Sequence, residues 1–237
     1  MSGTLLGTLA LGFLLGLRHA LDADHLVAVS TIVGREKSLW RSSVVGAIWG
    51  AGHTVSLLVA AVAVILLKLT ISPRVALALE LGVGVMLIVL GADLLRRVIR
   101  GEVVVHSHPH GHAGDEHAHW HVHSESQELA PGSHHPVGKR PFFVGLVHGL
   151  AGSAALMLFV LTTILGPWMG VLYVVVFGAG TIGGMLAMST LIGLPFALAS
   201  RAMPRFVGAI QFAAGLGSLS FGLFYAWRIG SGAGLFP

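Results

Sequence analysis

The sequence predicts an all-α polytopic membrane protein, with six transmembrane helices arranged as two inverted three-helix repeats and joined by a histidine-rich cytoplasmic loop. Three observations predict it. Of 237 residues, 54% are hydrophobic and 10% charged, where a soluble domain carries roughly 25% charged residues. Predominantly apolar stretches long enough to cross about 30 Å of hydrocarbon recur six times. Short motifs of the first half return in the second. The chain divides accordingly into a first transmembrane repeat (1–100), a histidine-rich loop (101–140) and a second repeat (141–237).

The six stretches cover residues 4–33, 42–67, 75–95, 142–165, 168–199 and 206–227. The first begins without a basic n-region or a convincing cleavage site and reads as a span, not a signal peptide. The first and fifth exceed a minimal crossing. A break or kink is expected at the polar residues 18–25 in the first and at Pro195 in the fifth.

Lysine and arginine fix the expected orientation. One side collects Arg35, Lys37, Arg41, Arg96, Arg97, Arg100, Lys139, Arg140, Arg201 and Arg205, and the other only Lys68, Arg74 and Arg228. The richer side is cytoplasmic, which places both termini outside and the long loop inside. The net charge of +4 therefore marks topology and not a nucleic-acid surface.

The loop holds His106, His108, His110, His112, His117, His119, His121, His123, His134 and His135. Such a segment cannot build an apolar core and is expected to be disordered until something binds it. Imidazole is the common side-chain ligand of zinc, copper and nickel, so metal capture is the favoured reading over a plain linker or a pH-responsive brush. The chain has no cysteine, so any metal must be held by nitrogen and oxygen.

The repeat aligns Gly16-Leu17-Arg18-His19-Ala20-Leu21 with Gly145-Leu146-Val147-His148-Gly149-Leu150, and Trp49-Gly50-Ala51-Gly52 with Phe177-Gly178-Ala179-Gly180. Glu80, Gly84, Gly91 and Arg97 align with Gln211, Gly215, Gly222 and Arg228. Three spans per unit make the second enter the membrane from the opposite face, an arrangement in which substrate sites lie near the midplane between the repeats. The halves are chemically unequal. Asp22, Asp24, His25, His53 and Glu80 face Ala151, Ser153, Ala154, Thr181 and Gln211, and only His148 keeps a ligand-type residue.

The polar stretch Arg18-His19-Ala20-Leu21-Asp22-Ala23-Asp24-His25 interrupts an otherwise apolar run. Ionisable groups at that depth cost several kcal/mol unless they pair or serve a function. On a continuous helix His19, Asp22 and His25 share an arc of roughly 120°, with Asp22 in the middle. Asp24 points elsewhere unless the helix unwinds, and ligation, support of a histidine and neutralisation of Arg18 stay open for it. A structural Arg18–Asp22 ion pair with core histidines is the competing account. His53 lies at a depth similar to that of His25, and His148 is the second repeat's contribution. Glu80 and Asp93 suit interfacial, helix-pairing or proton-handling roles better. Two imidazoles and a carboxylate favour nickel, cobalt or zinc over magnesium or calcium, which prefer oxygen shells.

At these residues the sequence resembles the nickel/cobalt transporter superfamily, whose signature of a histidine, four residues and Asp-His stands here as His19 to His25, with Gly52-His53-Thr54-Val55 similar to a second family element. Six spans and a cytoplasmic histidine loop look like the shorter members, among them the urease-accessory membrane proteins of the H type. The later acidic motifs of the permeases are missing, with Gly180, Gly184, Ser189 and Ile192 where carboxylates stand in them. The resemblance implies transport of nickel, with cobalt or zinc as alternatives, across the cytoplasmic membrane, and the inverted repeat implies that this proceeds by alternating access. It needs no cofactor beyond the transported ion, and its partners would be a metallochaperone or a urease or hydrogenase maturation protein. An oligomer is compatible with it. No P-loop is present, so coupling would come from the membrane potential, protons or a partner. The competing functions are an intramembrane metal-dependent enzyme, a metal-sensing or metallochaperone membrane protein, and an anion exporter, for which Arg18 alone is a poor site.

Overall fold

The structure is a computed structural model and describes residues 2–34, 36, 38–69, 71–101, 106–112, 115–121, 139–163, 166–202 and 204–232. Helices α1 (Ser2–His19) and α2 (Ala23–Val33) meet at 56° and form one bent pair. Helix α3 (Leu39–Ala61) closes in a π-turn (Val62–Leu66), and α4 spans Pro73–Ile99. Strands β1 (His106–His112) and β2 (Asp115–His121) precede α5 (Arg140–Thr163), α6 (Pro167–Ala202) and α7 (Pro204–Gly232). Among the described residues, four helices are long and apolar enough to cross a membrane, and the bent pair makes a fifth. The chain is thus a multi-pass helical membrane protein.

The ends of the helices follow the sequence. Ser72 accepts a hydrogen bond from the Val75 N–H and Pro73 opens α4, while Arg96 and Arg97 lie against its negative C-terminal end. Asp93 accepts from Arg97 at 3.2 Å and from Arg140 at 3.1 Å, tying the end of α4 to the start of α5. That is the helix-pairing role the sequence allowed it. Pro195 does not break α6, which continues through it while packed against both α3 and α1. A proline inside a membrane helix removes one N–H, and neighbouring helices keep the flanking turns in place.

The longest seams are α3 with α6 and α4 with α7, followed by α3 with α5 and α1 with α6. Glycines set their closeness. A Cβ on Gly16 would collide with the Phe177 carbonyl, and one on Gly145 with the Trp49 carbonyl. Gly52 meets the Phe142 carbonyl as Gly180 meets that of Phe13. Each pair repeats its counterpart 128 or 129 positions away with the partners exchanged. On the outer surface Leu6, Leu14, Trp40, Val59 and Trp227 are exposed, whereas the buried polar side chains include His25, His53, His148, Thr181, Ser189 and Gln211. Apolar outside and polar inside is the distribution expected where lipid is the solvent.

Residues 106–112 and 115–121 pair as antiparallel strands, with His106 opposite His121, His108 opposite His119 and His110 opposite His117. The alternation of histidine with other residues has period two, which is the period of a strand. The remaining loop histidines, His123, His134 and His135, lie outside the described residues, as do Arg35 and Lys37.

Candidate metal centre

Ten of the 14 histidines are in the loop, and the four others meet at the break between α1 and α2. The break has a local cause. Asp22 is extended, with φ −61° and ψ 145°, and caps α2 by position. Arg18 and His19 occupy the last turn of α1, and Asp24 the first turn of α2. Cationic groups at a C-terminus and acids at an N-terminus are the arrangement that two facing half-helices favour. The same residues spread along one continuous helix would have gained nothing from its dipole.

Unwinding places the donors. The His25 Nδ1–H donates to the His19 carbonyl at 2.8 Å, an oxygen that an unbroken helix would have used itself. This bond leaves the lone pair of His25 on Nε2, which is buried and has no hydrogen-bond partner among the described residues. His19 donates from Nδ1 to the Asp22 carboxylate at 2.7 Å and turns Nε2 toward His53 Nε2 at 3.1 Å, with one hydrogen between them. His53 Nδ1 is buried and unpartnered. On the far side His148 Nε2 donates to Asp24 at 2.8 Å, and its Nδ1 is likewise buried without a partner. The second Asp24 oxygen accepts the His25 backbone N–H at 3.0 Å.

The ring centroids lie 4.7 Å apart for His19 and His25, 5.2 Å for His25 and His53, and 4.4 Å for His25 and His148. Two groups of donor atoms result, His19 with His25 and His53, and Asp24 with His25 and His148, each within 4.8 Å. A buried polar atom left unpaired costs roughly 1–3 kcal/mol. Each of these nitrogens is accounted for when a cation held by its own donor group takes its lone pair.

Five of the six residues singled out from sequence therefore fall into the two donor groups. Asp22 does not, and the continuous-helix arc that put it between His19 and His25 does not form. Its side chain is 54% exposed and turned to His19, where it fixes the imidazole's tautomer as carboxylates behind metal-bound histidines do. Asp24, left open by spacing, takes the inner position because the chain unwinds. Arg18 is exposed, and Asp22 pairs with His19 instead of with it. Sequence reasoning missed Trp49 and Phe177, which wall the centre. Trp49 packs 5.6 Å from His25 and 5.8 Å from His148, and Phe177 lies 5.5 Å from His19. The signal was present, because these two aromatics head the paired glycine motifs of the repeats.

The chain is 39% identical over 239 residues to a protein named "Urease accessory protein UreH" of Bacillus sp. (strain TB-90), covering 98% of this chain and 96% of that one. It is 34% identical over 79 residues to a "High-affinity nickel transport protein" of Cupriavidus necator, 33% of this chain and 22% of the relative. A chloroplast protein of Arabidopsis thaliana named "FOR GROWTH AND FERTILITY 1" is 26% identical over 215 residues, 90% of this chain and 56% of its own length. No family model and no solved structure matches the chain.

Proposed function

The chain belongs to the family of the urease accessory protein UreH, and from that premise we propose that it transports a divalent transition metal, nickel first and cobalt second, across the cytoplasmic membrane. The observation that carries this reading is the convergence of His19, His25 and His53 at a break in a membrane helix, with buried lone pairs on His25 Nε2 and His53 Nδ1. Neutral imidazoles bind nickel, cobalt and zinc far better than they bind magnesium or calcium. Discontinuous helices are also where transporters hold ions, since the half-helix ends supply the fixed charges that water supplies outside.

Alternating access is supported by the reciprocal contacts. Gly91 approaches Gly215 and Leu219 as Gly222 approaches Gly84 and Ile88, a third exchange of partners, at an offset of 131. In this reading the bent pair, α3 and α4 form one repeat and α5, α6 and α7 the other. Rocking of one against the other exposes the midplane site to each side in turn. The Asp93, Arg97 and Arg140 cluster lies on the cytoplasmic side, the termini lie outside, and the histidine loop buffers or delivers the ion to a metallochaperone or a urease maturation partner.

Flux of nickel into proteoliposomes of known protein orientation, with cobalt and zinc competing, tests the proposal. His25→Gln is expected to lower flux about tenfold or more, since one direct ligand is lost. Unchanged flux in both His25→Gln and His53→Gln would sink it. A chain that binds nickel in liposomes without moving it would return the enzyme and sensor readings to the front.

A further inference from the structure

The transport reading treats the centre as one site. Resting on that reading and deepening it, we propose that the centre is two overlapping ion positions that share His25, and that a divalent transition-metal ion steps from one to the other. The donors fall into two groups and not one. The His53 and His148 rings are 6.1 Å apart, against 5.2 Å and 4.4 Å from each to His25. Within each group the donor atoms lie within 4.8 Å of one another, and His53 and His148 fall in different groups, so the two outer rings are assigned to different positions.

His25 serves both sides but has one lone pair to give. Its Nδ1–H is engaged by the His19 carbonyl and only Nε2 is open. Occupancy of one position therefore excludes the other.

The positions differ in charge and in origin. His19, His25 and His53 are neutral donors from α1, α2 and α3, all in the first half. Asp24 and His148 add a carboxylate and reach across to α5 in the second half. In the absence of an ion these two are joined by the 2.8 Å hydrogen bond from His148 Nε2–H to Asp24; for an ion in the second position to replace it with a metal bridge between the halves, that proton passes to the unpartnered His148 Nδ1, which frees the Nε2 and carboxylate lone pairs. Position along the pathway and contact between the halves are thereby linked through one imidazole.

The test uses the full chain with its ten loop histidines replaced by asparagine, so that the loop does not take up the probe, and titrates it with Co2+ alone. Mutually exclusive positions have association constants that add. One ion per chain is expected, and the constants of His53→Ala and His148→Ala should sum to that of the parent. At least one of these variants then loses no more than about twofold, while His25→Gln, which removes the shared donor, loses about 100-fold or more. Two ions per parent chain would overturn the proposal. Losses of tenfold or more in both single variants would do the same, as they describe a single five-donor site, and so would binding by His25→Gln within tenfold of the parent. Should either alanine variant melt early, the glutamine variant at the same position replaces it. In proteoliposomes each single variant should bind yet lose at least about tenfold in flux, and one that transports at the parent rate refutes the stepping. A parent with the expected binding pattern and no flux refutes transport and leaves the shared-ligand centre standing. Flux with the pattern broken does the reverse.

Discussion

Replacing Asp22 separates a residue that aims a ligand from a ligand itself. The Asp22 carboxylate accepts from His19 Nδ1 at 2.7 Å, and it stands outside both donor groups. Carboxylates behind a metal-bound histidine are worth about 10–100-fold in metal affinity, or ~1.4–2.7 kcal/mol. With 54% of the Asp22 side chain exposed, water screens its charge, which sets the expected loss for Asp22→Ala at the low end, about tenfold. Asparagine keeps an oxygen that can accept the same hydrogen, so Asp22→Asn should lose about threefold. The assay is a nickel titration of the chain lacking loop histidines, run beside His25→Gln, whose loss of a direct donor is expected to reach about 100-fold. If both Asp22 variants fall to the level of His25→Gln, Asp22 is itself a ligand and the geometry of the break has been misjudged. If Asp22→Ala binds as the parent does, the hydrogen bond to His19 carries no weight.

Further perturbations probe the scaffold around the centre. Gly16→Ala and Gly145→Ala each drive a Cβ into a carbonyl of the facing helix, and each should cost about 1–3 kcal/mol, read as earlier thermal unfolding in detergent. Gly7→Ala has nothing within 4 Å and should melt with the parent. Deleting residues 106–121 should leave nickel flux in proteoliposomes within about twofold of the parent while lowering the number of ions bound, because the hairpin lies outside the two donor groups; loss of flux would move the function into the loop. Glu36, between α2 and α3, is held above the ordinary glutamate range by burial, with Arg41 opposing in part. Its charged form is therefore penalised on folding. Stability is full below the unfolded glutamate pKa and declines as pH rises through the folded value, and Glu36→Gln should flatten that part of a melting-temperature profile. A slope unchanged by the substitution would assign the effect to another group.

Much of the fold was legible because a bilayer imposes few choices. Long apolar runs must be helical where no water satisfies the backbone, and the bounds expected for the stretch 75–95 fall inside α4, Pro73–Ile99. Pro195 does not interrupt α6, since neighbours packed against the helix hold its flanking turns despite one missing N–H. In the loop, composition argues against a core, and the pairing of residues 106–112 with 115–121 needs only a period-two pattern and paired backbones, which His106 to His112 offer. At the centre the residue types were readable from chemistry, while the exchange of Asp22 for Asp24 was not. Angular spacing presumes a helix, and these residues are the ones at which the helix stops.

The second half supplies the control for that last step. Gly145 to Ala154 aligns with the broken stretch, yet α5 runs unbroken from Arg140 to Thr163. Where the first half has Asp22 and Asp24, this one has Ala151 and Ser153. No acid is available there to sit on the N-terminal end of a new half-helix, and nothing offsets the backbone bonds that a break would surrender inside the membrane. The break thus goes with the two carboxylates, present in the half that breaks and absent from the half that does not. Once the chain unwinds, the same pair divides its work, Asp22 steadying His19 on the outside and Asp24 reaching His148 across the interface between the halves. The histidine that both halves retain, His19 in one and His148 in the other, is the one ligand-type residue of the broken stretch that the intact helix α5 also presents.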